Sequence, residues 1–415
     1  MSPRARLAAL LPALRSADFR ALFGGQVVSL VGDAIYPIAL AFAVLDLGGS
    51  PGALGLVLAA QGITLTALVL VAGVWADRLP RQRLMLASDL GRGVVQAVTA
   101  TLLISGRAEI WHLAVLAAAY GAFEAAFRPA AGGLLPQIVD GEHLQQANAL
   151  MGLALNAGMV LGPALAGTLI ALTGPGSAIA IDAATFAISA AFLVRIRAPR
   201  PERTPSDDGQ EGFWAELRGG VGEVAARRWL WTFLPGLMAY QLIALPGVLA
   251  LGPVVADRDL GGPAAWGAIT AAFGVGTILG NVAALRIRPS RPMFVATLAF
   301  IGCSTQPIAI ALGDSTAVIA GLLLLGGIAV SFGFGQYETT LGREIPPQAL
   351  GRVTSLDYFV TGGALSLGFA VVGPVAALVG TQATLVAAGL ITMALFALAA
   401  TVPDVRHLKR RAVPV

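Results

Sequence analysis

Long apolar stretches recur along almost the whole of this 415-residue sequence, in which 56% of the residues are hydrophobic. An α-helix needs roughly 20 such residues to cross the hydrocarbon core of a bilayer. In lipid, only helices and closed barrels satisfy their own backbone hydrogen bonds, and the alternation typical of barrel strands is missing here. The sequence therefore predicts an all-α integral membrane protein that lies in the lipid bilayer.

Twelve transmembrane helices are predicted, in two six-helix bundles that a polar segment separates. The spans cover residues 20-46, 53-77, 84-105, 110-134, 146-172, 178-197, 229-255, 263-285, 292-312, 315-338, 353-379 and 382-402. The predicted domains are a cytoplasmic N-terminal lead-in at 1-19, an N-terminal bundle at 20-197, a cytoplasmic linker with an amphipathic helix at 198-228, a C-terminal bundle at 229-402 and a basic cytoplasmic tail at 403-415. The pairs Gly162-Pro163 and Gly373-Pro374 recur in spans five and eleven, which indicates pseudo-symmetric halves.

The basic residues between the spans fall almost entirely on one face of the membrane. That face carries, among others, Arg15, Arg20, Arg78, Arg81, Arg83, Arg195, Arg286, Arg288, Arg343 and Lys409. The opposite face holds only Arg107 and Arg258. Because cytoplasmic loops are enriched in arginine and lysine, both termini are expected in the cytoplasm. The net charge of +4 thus follows from membrane topology, and we expect no nucleic-acid partner.

Residue counts exclude several enzyme chemistries. Lys409 is the only lysine and lies in the tail, so the phosphate-binding loop of an ATP-driven pump is missing. Cys303 is the only cysteine, and His112, His143 and His407 fall in separate segments. We therefore expect no disulfide, no metal site, no cofactor and no enzymatic activity.

The turn after span two combines a glycine, an acid and three arginines. Gly73 is expected to let neighbouring helices approach closely, and Asp77 to bind arginines or helix-terminal amides. Such a cluster can hold the cytoplasmic side of a carrier closed and release it. The alternative is an anchor that only sets topology. The predicted gating residues are Gly73, Asp77, Arg78, Arg81 and Arg83, with Asp89 and Arg92 of span three as partners of the turn.

Span five carries a stripe of small residues with a proline. Small residues at i and i+4 allow close helix contact, and a proline frees a backbone carbonyl so that a helix can bend. Packing alone is one interpretation, and a bend that changes during a transport cycle is the other. The predicted helix-bend residues are Gly158, Gly162, Pro163 and Gly167.

Ionisable residues at membrane depth cost roughly 2.5 to 3.5 kcal/mol on insertion scales, so they are rarely kept there without a role. Asp33, near the middle of span one, is the first candidate for proton coupling, with a structural acid as the alternative. Glu124 is the second candidate. It lies four residues before Arg128, so the two are also expected to form an ion pair.

A substrate cavity is expected between the two bundles near the middle of the membrane. Few fixed charges are available there, which indicates an amphipathic or hydrophobic solute. The candidate lining residues are Gln26, Tyr36, Gln61, Asn156, Tyr240 and Gln241, although tyrosine and glutamine also serve simply to bridge helices.

These motifs resemble those of the major facilitator superfamily. Gly73-xxx-Asp77-Arg78-xx-Arg81-x-Arg83 resembles the family's signature between helices two and three, with Pro80 where glycine is usual. Gly158-xxx-Gly162-Pro163-xx-Ala166-Gly167 resembles the antiporter motif of helix five. Shorter segments resemble the drug:proton antiporter branch that includes macrolide-efflux proteins and bacterial siderophore (enterobactin) exporters. They are Asp18-Phe19-Arg20, Phe127-Arg-Pro129-Ala130, Ala147-Asn148-Ala149, Asp182-Ala-Ala-Thr-Phe186 and Gly351-Arg352-Val353.

The resemblance implies a secondary active transporter that exports small amphipathic molecules by alternating access in exchange for protons. Its expected location is a bacterial inner membrane, and its expected state is a monomer. The alternatives are a siderophore or lysolipid exporter, a metabolite uptake permease, and a membrane sensor or assembly factor that does not transport.

Overall fold

A computed structural model of the chain describes residues 12-196 and 221-409. The lead-in before Pro12, most of the predicted linker with Trp214 and Leu217, and the end of the tail lie outside the described residues. So do a few side chains within helices, including that of Asp77. The described residues form helices and short connections without any strand, and they fall into two compact units.

Unit 1 begins with a short 3-10 turn, Pro12–Arg15, followed by five helices. They are α1, Ala17–Asp46; α2, Pro51–Arg78; α3, Arg81–Ile104; α4, Ile110–Ile138; and α5, Leu144–Leu193. Serine caps start the first two helices, because Ser16 Oγ accepts from Phe19 N at 3.2 Å and Ser50 Oγ from Ala53 N at 3.2 Å. The first helix thus begins three residues before the predicted span.

Helix α5 contains two predicted spans, and a sharp corner joins them at Gly174. This glycine has φ 79° and ψ 163°, a conformation that only glycine adopts without strain. Pro175 follows and supplies a preset φ for the next helical turn. The chain therefore turns back across the membrane without an intervening loop.

In unit 2, the described residues 221-225 are helical, and six helices and a short terminal turn follow. They are α6, Arg228–Leu260; α7, Pro263–Arg286; α8, Pro292–Leu312; α9, Thr316–Glu344; α10, Pro347–Val379; α11, Thr381–Thr401; and α12, Pro403–Arg406. Helix α6 continues through its internal prolines with π-helical turns at Tyr240–Ala244, Gly247–Leu251 and Ala256–Leu260. Helix α8 is interrupted after Cys303 and resumes at Gln306.

The twelve predicted crossings are accounted for in the described residues. Ten helices there are long and apolar enough to span a membrane, and one of them, Gly141–Leu193, makes two passes around Gly174. Helix α3 is the remaining crossing, and its charged residues, Asp89 and Arg92 among them, lower its hydropathy. The expected all-α membrane fold is confirmed. The sequence-based domain limits stay a prediction.

Each unit has its own buried core. In unit 1, the core includes Phe19, Met85, Leu134 and Ala147 from α1, α3, α4 and α5. In unit 2, Phe233 stacks on Tyr337 with ring centroids 5.1 Å apart, and Phe300 stacks on Phe396 at 4.9 Å. Cys303 is fully buried in the same cluster.

Candidate functional site

A buried polar cluster lies inside unit 1, centred on Arg92 of α3. Arg92 Nη2 donates to Asp89 Oδ1 at 2.6 Å, and Arg92 Nη1 approaches Asp33 Oδ1 of α1 at 3.4 Å. The Tyr120 hydroxyl of α4 donates to the same Asp33 oxygen at 2.9 Å. Three helices thus meet at one guanidinium group. Its charge offsets the cost of placing carboxylates within the bundle.

Two aromatic rings enclose the guanidinium group. The Cζ atom of Arg92 lies 4.4 Å from the ring centroid of Phe127 and 4.3 Å from that of Phe186. Aromatic faces attract a cation, and the attraction is stronger where water is excluded. The rings therefore fix the guanidinium in place, and its Nη1 and Nη2 groups face the carboxylates of Asp33 and Asp89.

A third carboxylate, Asp182 of α5, lies beside this cluster. Gln96 Nε2 donates to Asp182 Oδ2 at 2.5 Å, and the Thr185 hydroxyl donates to the Asp182 carbonyl at 2.8 Å. A side chain at Gly32, the residue before Asp33, would overlap Asp182 Oδ1. Because Gly32 has no side chain, α1 can pack directly against Asp182. Together the helices gather three acids around one arginine.

Solvent reaches the three acids unequally. The Asp33 side chain is 35% exposed, whereas that of Asp89 is 0% exposed and Asp182 is fully buried. Arg92 is itself only 3% exposed at its side chain. The buried Asp89 anchors the arginine, and of the three acids Asp33 is the one that is partly exposed.

Asp89 and Arg92 were expected to serve the turn after span two. Among the described contacts Arg92 reaches Asp33 on α1 at mid-helix, and because the side chain of Asp77 lies outside the described residues, the partnership with the turn stays a prediction. The third helical turn of α3 carries both residues into the bundle, away from the helix start at Arg81. They therefore belong with the coupling candidate.

Glu124 of α4 makes the expected ion pair with Arg128, with Nη2 and Oε1 2.8 Å apart. Its other oxygen, Oε2, accepts from Gln61 Nε2 of α2 at 3.3 Å. Gln61 thus bridges two helices, which is the alternative role considered for it. Arg128 is 69% exposed, so solvent screens this pair far more than the Arg92 cluster.

The turn between α2 and α3 holds the chain to α4 through Arg81. Arg81 Nη1 donates to the Gly133 carbonyl at 2.6 Å, whereas Arg78 and Arg83 are exposed. In the described part of the chain, a Cβ atom at Gly73 would meet nothing within 4 Å. No described atom approaches Gly73, so the expectation that it permits close helix contact stays a prediction.

The predicted bend stripe packs against α1. A Cβ at Gly162 would overlap that of Ala34, and one at Gly158 would meet Leu30 Cβ at 3.8 Å in ordinary contact. Gly167 is buried. The backbone of α5 stays helical through Pro163, and the corner is at Gly174. Close packing is thus observed at Gly162, and a bend at Pro163 stays a prediction.

The predicted cavity residues have differing surroundings. Tyr36 is 2% exposed and stacks on Tyr120 with centroids 4.4 Å apart, and Tyr240 is 3% exposed within the core of unit 2. Asn156 donates to the Gly152 carbonyl of its own helix at 2.9 Å. Gln26 is buried, and Gln241 lines a cavity in unit 2. Tyr36 and Tyr240 therefore pack within their units, and a role of these residues in a substrate cavity stays a prediction.

Sequence reasoning passed over several members of these clusters. Tyr120 and Gln96 were not singled out, although each lies in a span at the depth of an acid. Asp182, which belongs to the segment Asp182-Ala-Ala-Thr-Phe186, was not included among the coupling candidates. Asp357 and Tyr337 of unit 2 were also missed. A search for every polar residue within a predicted span, regardless of motif, would have found all five.

Comparison with known proteins identifies the family. The model of the Major Facilitator Superfamily matches residues 22–369. The multidrug efflux pump Tap of Mycolicibacterium fortuitum is 27% identical over 402 residues, which cover 92% of this chain and 95% of Tap. Macrolide efflux protein A of Streptococcus pyogenes is 22% identical, with coverage of 84% and 86%.

Solved structures give the same result for the fold. A crystal structure of a mutant of the nucleoside transporter NupG aligns with a TM-score of 0.73 at 12% identity, covering 94% of this chain and 100% of that one. At that identity the likeness concerns the fold alone. The family match extends over most of the sequence and includes both units. This chain is therefore a multi-pass membrane transporter that belongs to the Major Facilitator Superfamily.

Proposed function

We propose that this transporter exports small amphipathic or hydrophobic molecules in exchange for protons, by alternating access, from the cytoplasm of a bacterium across its inner membrane. Both termini lie in the cytoplasm in this proposal, and the working unit is a monomer. The efflux pumps among its relatives, which are named for multidrug and macrolide export, support the solute class. The positive-inside distribution of arginines supports the orientation.

The observation that carries proton coupling is the shared arginine of the α1, α3 and α4 cluster. Protonation removes the negative charge of Asp33 and so weakens its attraction to Arg92, whereas Asp89 continues to hold the arginine at 2.6 Å. Loading a proton on Asp33 therefore weakens one contact between α1 and α3 without releasing the arginine. By weakening the ion pair between α1 and α3, protonation can favour one conformation over another.

One proton supplies sufficient energy for export. Moving one charge inward through 100 mV yields roughly 2.3 kcal/mol. Each tenfold gradient of a neutral solute costs about 1.4 kcal/mol. A single coupling carboxylate therefore supports a gradient somewhat below a hundredfold, and Glu124, tied to Gln61 and Arg128, is not needed as a second carrier.

Transport by Asp33→Asn in proteoliposomes tests this function. The tracer is chosen first, by screening macrolides, siderophores and lysolipids for thermal stabilisation of the purified protein. With a pH step of one unit, the wild type should build about a tenfold tracer gradient that collapses when an ionophore removes the step. Asp33→Asn should exchange tracer across the membrane at equal concentrations but build no gradient, because it cannot load a proton.

Asp140→Asn is the matched control, since Asp140 is an exposed loop acid of the same unit whose side chain makes no capping bond. It should behave as the wild type does. Accumulation by Asp33→Asn with unchanged dependence on the pH step would remove Asp33 from the mechanism. A wild type that accumulates none of the stabilising compounds would contradict export itself.

The turn at Arg81 is the proposed cytoplasmic gate. Its bond to the Gly133 carbonyl ties the start of α3 to the cytoplasmic end of α4. Such a bond to a backbone carbonyl is available in one conformation and can be given up in another. In this proposal, Asp77, Arg78 and Arg83 complete the same turn, and Gly158, Gly162, Pro163 and Gly167 allow α5 to bend.

A further inference from the structure

Unit 2 contains a cavity of about 480 Å³ between α6, α9 and α10 that carries two carboxylates. Asp357 projects into it from α10 and Glu338 from α9, and Gln241 from the first π-helical turn of α6 adds an amide. The described residues that line this cavity include no arginine, lysine or histidine. The cavity is therefore acidic and has no built-in counter-ion among those residues.

Tyr337 lines this cavity next to Asp357. Tyr337 is 1% exposed and its hydroxyl lies beside the Asp357 carboxylate. Neither the hydroxyl nor Asp357 Oδ1 has a hydrogen bond of normal geometry within the described residues. A buried polar group without such a bond costs roughly 1 to 3 kcal/mol. A ligand that supplies a positive charge here would offset the negative charge of the Asp357 carboxylate.

An apolar cavity of about 370 Å³ adjoins the acidic one and shares Tyr337, Asp357 and Thr361 with it. Its remaining lining is almost entirely hydrophobic. It includes Trp231, Leu234 and Met238 of α6 and Val353, Leu356 and Val360 of α10. The two cavities together offer an apolar volume with an acidic group at its end.

We propose that this pair of cavities binds lipophilic cations, with the positive charge at Asp357 and Glu338 and the apolar body against α6 and α10. The inference rests on the proposed export function and narrows its solute class to amphipathic cations. Asp357 lies ten residues from the start of α10, so the rise of about 1.5 Å per residue places it roughly 15 Å along the helix. That is the cytoplasmic half of the span, where an exporter loads its solute.

Equilibrium binding of two matched probes to the purified full chain tests the site. Tetraphenylphosphonium is a permanent lipophilic cation, and triphenylphosphine oxide is a neutral amphipath with similar rings. Asp357→Asn should weaken tetraphenylphosphonium binding about tenfold or more, because a charge-assisted contact is lost. Binding of triphenylphosphine oxide should change less than about twofold. Val360→Trp, which fills the apolar cavity, should weaken both probes.

Two further variants keep the test decisive. Glu338→Gln alters an exposed side chain, so it should fold even if Asp357→Asn does not, and it should weaken the cation selectively. Asp314→Asn, an exposed acid of the same unit, should leave both probes unchanged. Equal cation affinity in wild type, Asp357→Asn and Glu338→Gln would overturn the proposal, and so would a wild type that binds neither probe.

The binding assay requires no proton gradient and no Asp33. A protein that binds the cation through Asp357 but accumulates no tracer would keep this site while contradicting export. If a tracer accumulates with the gradient but cation binding does not depend on Asp357, export is supported and this binding site is contradicted.

Discussion

Replacing Arg92 by methionine should lower the free energy of unfolding by about 3 to 5 kcal/mol. Methionine retains an unbranched apolar chain, so packing between Phe127 and Phe186 is largely preserved. The loss comes from the carboxylates. Asp89 has a fully buried side chain, and without Arg92 it keeps its desolvation cost and loses its counter-ion.

Denaturant titration in mixed micelles measures this effect, with Arg128→Met as the control. Arg128 also pairs with an acid on its own helix, at 2.8 Å, but its side chain is 69% exposed. An exposed pair contributes about 0 to 1 kcal/mol, so this variant should remain close to the wild type. Adding Asp33→Asn and Asp89→Asn to Arg92→Met should restore most of the stability. Similar losses for Arg92→Met and Arg128→Met would contradict the buried-cluster account.

Replacing Gly327 by alanine should separate α7 from α9 and cost about 3 kcal/mol, at the upper end for overpacking a close contact. A Cβ at Gly327 would overlap the carbonyl oxygen of Phe273 on α7 and lie 3.0 Å from Thr277 N. Both obstacles are backbone atoms, so no side-chain rotation relieves the overlap. Gly276, on the opposite helix, meets the Leu324 carbonyl in the same way.

Gly321→Ala is the matched control on the same helix. Among the described residues, a Cβ at Gly321 has no neighbour within 4 Å. Alanine also favours a helix over glycine by roughly 0.5 to 1 kcal/mol, so Gly321→Ala should be neutral or slightly stabilising. The thermal unfolding midpoint in detergent, measured for Gly327→Ala and Gly321→Ala, tests this difference. A drop of equal size in both would mean that helix contact at Gly327 does not explain the loss.

The sequence predicted well those features that depend on neighbours along the chain or on the bilayer itself. The length of each span follows from membrane thickness, so the crossings were recognised even where α5 joins two of them at Gly174. The Glu124–Arg128 pair was predicted because helical geometry alone brings residues four apart together.

Contacts between helices could not be predicted, because they join residues that lie far apart in the sequence. Arg92 and Asp33 are separated by 59 residues, and only the packing of α1 against its neighbours decides that they meet. Close contact was predicted at Gly162 and is made there, but its partner Ala34 could not be identified, since a glycine's neighbour depends on the facing helix. Asp357 carried no motif, and its significance lies in the cavity that α6, α9 and α10 form around it.

The single cysteine makes this protein ready for labelling without prior mutagenesis. Cys303 is the only thiol in the sequence, and it is 0% exposed within the aromatic core of unit 2. Water-soluble maleimides should therefore leave the native chain unmodified, whereas a cysteine introduced at Asp140 or at Asp314 accepts a spin label or dye. Labelling both positions provides one reporter in each unit, and the distribution of distances between them can be followed as solute and acid are added.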